Sequence, residues 1–162
     1  MYQTDAHGAP ANAQLESDGG RATRQDGFHV RVLVVDDDPG IRETLSSLLE
    51  EEGYEISVAG DGEEALHAVL ASSEPLVVLL DLFLPKLTGE DVLSTVLEYH
   101  GGAVPSHVSF IIITANLQLL TDRLRALIQL HDIPVADKPF DTDRLLALVA
   151  RAAARARNLV AG

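Results

Sequence analysis

The stretch Leu76 to Gly89, LVVLLDLFLPKLTG, constrains the fold of this chain more than any other. Its aliphatic residues, Leu76 to Leu80, run unbroken into Asp81, with Pro75 before them and Pro85 after. Such a run, bounded by prolines, is the pattern of a strand buried on both faces. A strand of that kind belongs to an open parallel sheet covered by helices, and ligands bind such sheets beyond the carboxyl ends of the strands. Asp81 stands at that edge. Taken alone, a strand-end Asp is a helix cap, an ion-pair partner or the chemistry of a site, and the rest of the chain has to decide between them.

Upstream, residues 1 to 27 are rich in Gly, Ala, Asp, Gln and Ser, with Leu15 the only aliphatic side chain larger than Ala. They cannot bury enough apolar surface to offset the entropy of ordering and read as a disordered tail. The domain then spans 28–158, with a short tail at 159–162. Val30 to Val35 predicts a first strand, ending in Asp36, Asp37 and Asp38. Pro39 suits the first position of a helix, so Asp38 is its natural N-cap, and Asp36 and Asp37 are left without a structural task. Ile41, Leu45, Leu48 and Leu49 carry that helix to Gly53. Glu55 to Ala59 alternates polar and apolar, as a strand with one buried face does. A second helix begins after Gly60-Asp61-Gly62, and a third runs from Glu90 to about His100.

Ser109 to Ile113 predicts a fourth strand, closed by Thr114, and Leu117 to about Leu130 a fourth helix. Ile133 to Asp137 predicts a fifth strand whose Pro134 cannot donate a ladder hydrogen bond, which places it at an edge. Lys138 follows, and Asp141 can cap the last helix. Five strands alternating with five helices predict an α/β fold with a doubly wound parallel sheet. Strands one, three and four look doubly buried and strands two and five look like edges, which requires the order 2-1-3-4-5.

In that order Asp36 and Asp37, Asp81, Thr114 and Lys138 all lie at one end of the sheet. Three carboxylates in one crevice cannot all stay ionised beside a single lysine, so a hard divalent ion is implied. Magnesium fits better than calcium, because no single loop offers a ring of six or more oxygen donors. The formal net charge of -13 argues against nucleic-acid or anionic-membrane binding, and the chain has no cysteine for a disulfide, a thiolate metal site or a nucleophile. No apolar run is long enough to span a bilayer and the start lacks the features of a secretory signal, which together suit the cytoplasm.

VLVVDDDPGIR at 32–42, AGDGEEAL at 59–66, LLDLFLPKLTG at 79–89, ITA at 113–115 and DKPF at 137–140 occur in order along the chain. With them the chain resembles the response-regulator receiver domains of two-component signalling, the CheY-like, flavodoxin-like family. The resemblance covers Phe28 to Asn158. It implies that Asp81 accepts a phosphoryl group from a sensor histidine kinase or histidine phosphotransfer protein. It also implies that Asp37 binds magnesium directly, Asp36 mostly through water, and the backbone carbonyl of Phe83 completes the protein ligands. Thr114 would hydrogen-bond the phosphoryl group, Lys138 would pair with it, and the Lys138–Pro139 bond would be cis. Output would pass to a downstream protein, or to a second copy in a phosphorylation-dependent homodimer, through the face made by Leu117 to Leu130, the fifth strand and the last helix. The chain would be a switch rather than an enzyme.

Three positions depart from the family pattern. Val135 stands where an aromatic residue is usual, His131 and Asp132 replace a Gly-Ala pair before the last strand, and Gly101 to His107 forms a longer loop than is typical. Phe83, bulky where water would approach the phosphoryl group, predicts slow self-hydrolysis. Lys86 reads as a solvated loop residue, the six histidines as surface or packing residues, and Arg151, Arg155 and Arg157 as complements to the last helix dipole. The alternative reading is a magnesium-dependent phosphohydrolase of the haloacid-dehalogenase-like type. That chemistry requires an acid two residues after the nucleophile, where this chain has Phe83.

Overall fold

A computed structural model describes residues 30–158. The tails expected at 1–27 and 159–162 lie outside the described residues. Five strands, β1 (Arg31–Val35), β2 (Glu55–Ala59), β3 (Leu76–Asp81), β4 (Val108–Thr114) and β5 (Val135–Asp137), form one parallel sheet in the order β2-β1-β3-β4-β5. The helices are α1 (Pro39–Glu51), α2 (Gly62–Ala71), α3 (Gly89–Tyr99), α4 (Asp122–Leu130) and α5 (Thr142–Asn158). This is the doubly wound arrangement the alternation of elements predicts.

The period of two along each strand sorts the core into two layers. Leu33, Val78, Leu80 and Ile112 face one way and pack with Ala65, Val69, Val92 and Val96 from α2 and α3 and with Leu124 from α4. Val34, Leu79, Ile111 and Ile113 face the other way, onto Leu45 and Leu49 of α1 and Leu145 and Val149 of α5. β3 is buried at every position because it has a strand on either side and helices on both faces, whereas β2 and β5 have partly open patterns, as edge strands must.

Polar caps set the helix starts. Asp38 accepts hydrogen bonds from Gly40 and Ile41, and Asp141 accepts one from the backbone of Arg144. Thr88 and Asp91 exchange hydrogen bonds in a capping box at the start of α3. The expected helix from Leu117 is interrupted. Leu117–Leu119 forms a 3₁₀ turn, and α4 begins only after Thr121, whose hydroxyl accepts the Leu124 N–H at 3.0 Å. Apolar spacing continues through both pieces, so periodicity alone could not reveal a cap that Thr121 supplies inside the pattern. β5 is likewise shorter than expected, starting after Pro134, although the Pro134 carbonyl still accepts the Ile112 N–H at 2.9 Å.

Two glycines set the geometry below the carboxyl edge. A Cβ on Gly89 would collide with the backbone oxygen of Asp81, and one on Gly62 would collide with the backbone oxygen of Leu87. The loop from Leu82 to Thr88 is thereby packed against both the end of β3 and the start of α2, where Gly62 donates its N–H to the Pro85 carbonyl at 3.2 Å. Replacing either glycine with alanine forces backbone to move. Gly89→Ala should destabilise the domain by about 1–3 kcal/mol, seen as a lower urea midpoint at unchanged slope.

Candidate functional site

Strand register assembles the site. Val35 pairs with Leu80, Asp81 with Ile113, and Thr114 with Asp137, so the residues that end β1, β3, β4 and β5 lie at one level. Asp36, Asp81, Thr114 and Lys138 therefore converge on one edge, as the sequence predicts. Asp36, Asp37 and Asp81 bring carboxylate oxygens within 4.8 Å of one another, with Asp36 and Asp81 buried and Asp37 exposed.

Lys138 is the cation of this cluster. Its ammonium donates to Asp36 Oδ2 at 2.5 Å and to Asp81 Oδ2 at 3.0 Å. Asp36 also accepts the Asp38 N–H at 2.9 Å, and Asp81 Oδ1 accepts the Phe83 N–H at 3.2 Å. Burial pushes the Asp81 carboxyl above its ordinary pKa, against the opposing pull of Lys138. Burial by itself lowers the pKa of Lys138, but its hydrogen bonds to Asp36 and Asp81 outweigh this and hold the ammonium above its ordinary value. Thr114 is fully buried, and its hydroxyl accepts the Asn116 N–H at 3.2 Å while reaching the Asn116 carbonyl only at 3.4 Å.

Magnesium fits these groups on charge and chemistry. Three carboxylates outnumber the one ammonium that pairs with them, and the donors are all oxygen, the set a hard divalent cation prefers. The Lys138–Pro139 bond is cis, as expected from the resemblance.

Two further contacts on the loops at this edge of the sheet do not follow from the sequence. Arg42, one turn into α1, donates to the Asp36 backbone carbonyl at 2.6 Å. Lys86, read as solvated, is only half-exposed and pairs with Asp61 at 2.6 Å and with Glu63 at 3.5 Å. It occupies a left-handed conformation (φ 65) that turns the loop toward the start of α2. The hydrogen bond from Lys86 and the N–H of Glu64 hold the Asp61 carboxyl below its ordinary pKa. Nothing in local spacing signals a pair that bridges two loops. The phosphohydrolase alternative gains no support, since Phe83, half-exposed, occupies the position its second acid would need.

An open parallel sheet in this order, with this acid cluster and lysine at its carboxyl edge, is the architecture of a receiver domain. Residues 32–150 match the family model of the response regulator receiver domain, and the chain belongs to that family. It is 38% identical over 132 residues to the probable transcriptional regulatory protein TcrX of Mycobacterium tuberculosis, covering 79% of this chain and 53% of that one. It is 39% identical over 125 residues to protein Rrf1 of Nitratidesulfovibrio vulgaris, covering 76% and 83%. The chain thus spans about half the length of TcrX but most of Rrf1. Among solved structures it is similar to the response regulator TrrA of Thermotoga maritima in complex with Mg2+ and BeF, with a TM-score of 0.62 and 33% identity, covering 75% and 97% of the two chains. Among the described residues, no helix is long and apolar enough to cross a membrane.

The raised pKa of Asp81 has a stability consequence. An acid whose pKa is higher folded than unfolded binds protons more readily in the folded state, so its ionised form opposes folding above the folded pKa and that cost is relieved as pH falls through it. In metal-free buffer near pH 7, Asp81→Asn should therefore raise the melting temperature. The difference from wild type should shrink as the pH is lowered, which thermal denaturation across pH 4 to 8 measures.

Proposed function

We propose that this chain is a phospho-accepting switch: Asp81 takes a phosphoryl group from a sensor histidine kinase or histidine phosphotransfer protein, and the phosphorylated form makes different protein contacts. The observation that carries this reading is the Lys138 ammonium shared by Asp36 and Asp81 beside the exposed Asp37. Burial holds the Asp81 carboxyl above its ordinary pKa although Lys138 pairs with it, so its oxygens stay more basic than those of a carboxylate fully neutralised by the same ammonium.

In the transfer, one Asp81 oxygen attacks the phosphorus of a phosphohistidine. The new O–P bond forms as the N–P bond breaks, and the departing imidazole nitrogen keeps the electron pair and takes up a proton from solvent. Lys138 neutralises the charge spread over the phosphoryl oxygens. Asp36, Asp37, Asp81 and the backbone carbonyl of Phe83 would hold Mg2+, which when bound supplies further charge neutralisation at those oxygens. In the separate hydrolysis that ends the signal, water attacks phosphorus, the O–P bond to Asp81 breaks, Asp81 leaves as a carboxylate, and inorganic phosphate is released as the attacking water gives up its proton to solvent. Phe83, two residues beyond Asp81 and half-exposed, would narrow the approach for that water.

Thr114 couples the chemistry to the output. Its hydroxyl proton is loosely held by the Asn116 carbonyl at 3.4 Å, so it is available to a phosphoryl oxygen on Asp81. Turning that hydroxyl releases the Asn116 N–H and loosens the loop that follows. Arg125 of α4 donates to the Leu117 and Leu120 carbonyls at 3.0 and 3.2 Å, so the loop and α4 move together. Val135 has no aromatic ring to swing, and the loop carries the signal in its place. The exposed side chains of Leu117, Leu119 and Leu130 lie on this loop and on α4, where a downstream protein or a second copy would dock. Phosphotransfer of this kind belongs in the cytoplasm. The net charge of -13 argues against nucleic-acid binding by the chain itself.

Incubation with acetyl phosphate and Mg2+ should add one phosphoryl group per chain by intact mass, and Asp81→Ala should abolish it. Sustained turnover of a small phosphate ester instead of stoichiometric labelling would overturn the assignment. Phe83→Asn should speed loss of the label at least several-fold, measured as the decay of phosphorylated protein after the donor is removed; decay equally fast in both proteins would remove Phe83 from the account.

A further inference from the structure

Two of the three departures from the family pattern, and two of the three C-terminal arginines, line one cleft. It has a volume of about 680 Å³ and lies between the loop preceding β4, the turn between α4 and β5, and the outer face of α5. Ala103 to Ser106 of the long loop form one wall, His131 and Asp132 a second, and Arg151 and Arg155 a third. The floor is apolar, with Phe110, Ile133 and Leu148 among its residues. The cleft opens at the amino ends of the strands: Ser109, near the start of β4, lines it, whereas Thr114 ends that strand at the carboxyl edge where the acid cluster lies. Five residues of strand put these some 17 Å apart.

The charges in this cleft run against those of the whole molecule. Arg151 and Arg155 are four residues apart on one helix and so lie on the same face, where like charges repel. Arg155 approaches Asp132 at 3.6 Å, with both side chains largely exposed, and among the described residues Arg151 has no ion pair. Ser109 is buried, with its residue surface turned into the cleft. Asp132 holds a left-handed conformation (φ 52) in one wall, and Gly101 and Gly102, left-handed at φ 70 and 90, turn the chain into the loop that forms another. Small-ligand sites combine this scale of volume, an apolar floor and a few convergent polar groups.

We propose that this cleft binds a small organic anion: an acidic head group held between Arg151 and Arg155, with His131 and Ser109 beside it, and an apolar body of one or two rings on the Phe110 and Leu148 floor. The site is separate from Asp81, and the unphosphorylated chain presents it.

The test is titration of the full chain with naphthalene-2-sulfonate, followed by amide chemical shifts in ¹⁵N-labelled protein. Saturable shifts should centre on residues 104–110, 131–134 and 148–155, with a dissociation constant of about 0.1–1 mM, as expected for a ligand of that size. The uncharged 2-naphthalenemethanol should bind at least tenfold more weakly. Arg151→Gln with Arg155→Gln, both at exposed helical positions, should keep the spectrum of the folded domain and weaken the sulfonate by at least tenfold, and Arg151→Glu alone should also weaken it. Asp81→Ala should bind as wild type does, so this site and the phosphorylation reading fail independently. Non-saturating shifts, equal binding of the neutral analogue, unchanged binding by the double variant, or shifts centred on Asp37 and Asp81 would each overturn the proposal.

Discussion

A single ammonium group holds the functional edge of this protein together. Lys138 reaches Asp36 and Asp81, residues 102 and 57 positions away in the chain, and without it two buried carboxylates would face each other across the sheet. The remaining architecture can be understood as what is needed to deliver three strand ends to that point. Parallel strands in the order found bring their carboxyl ends to one side, the two-layer core fixes their register, and close-packed glycines hold the intervening loop in place.

The same arrangement leaves the site under tension of charge rather than of backbone. Asp81 has burial working against its ionisation and Lys138 working for it. Asp37, exposed and without an ion pair among the described residues, adds a third negative charge at the mouth. A site in that condition responds strongly to any added charge, whether a divalent cation or a phosphoryl group, because the buried carboxylates of Asp36 and Asp81 are weakly screened. Thr114, loosely hydrogen-bonded, and the Arg125-bound loop beyond it stand where such a change would first be felt.

Most of the fold was legible from the chain because its strands are strongly patterned. The all-aliphatic β3 and the alternating β2 declare their places in the sheet by burial alone, and the edge position of β5 follows from one missing donor in Pro134. The convergence of Asp36, Asp37, Asp81, Thr114 and Lys138 followed from strand order, a global property that local pattern sufficed to fix. Other features depended on pairings between distant segments. The interruption between Leu119 and Asp122 lay hidden in a continuous apolar stripe, since a capping Thr outweighs periodicity only where tertiary packing gives it room. Lys86 met Asp61 across two loops, and Arg42 met the Asp36 carbonyl across the start of α1; neither contact follows from residue spacing. The cleft lined by His131 and Arg151 was visible in the chain only as separate oddities, because nothing in sequence order says that a loop, a turn and a helix face share one space.

β5 is joined to its one neighbour along three residues, the shortest seam in the sheet. The lysine that answers the acids of β1 and β3 hangs from the end of that seam. Electrostatic attraction across the carboxyl edge is therefore also a mechanical fastening for the outermost strand. A change of charge around Asp81 bears on the same ammonium that tethers this border, so the local chemical state and the outermost strand share one point of attachment.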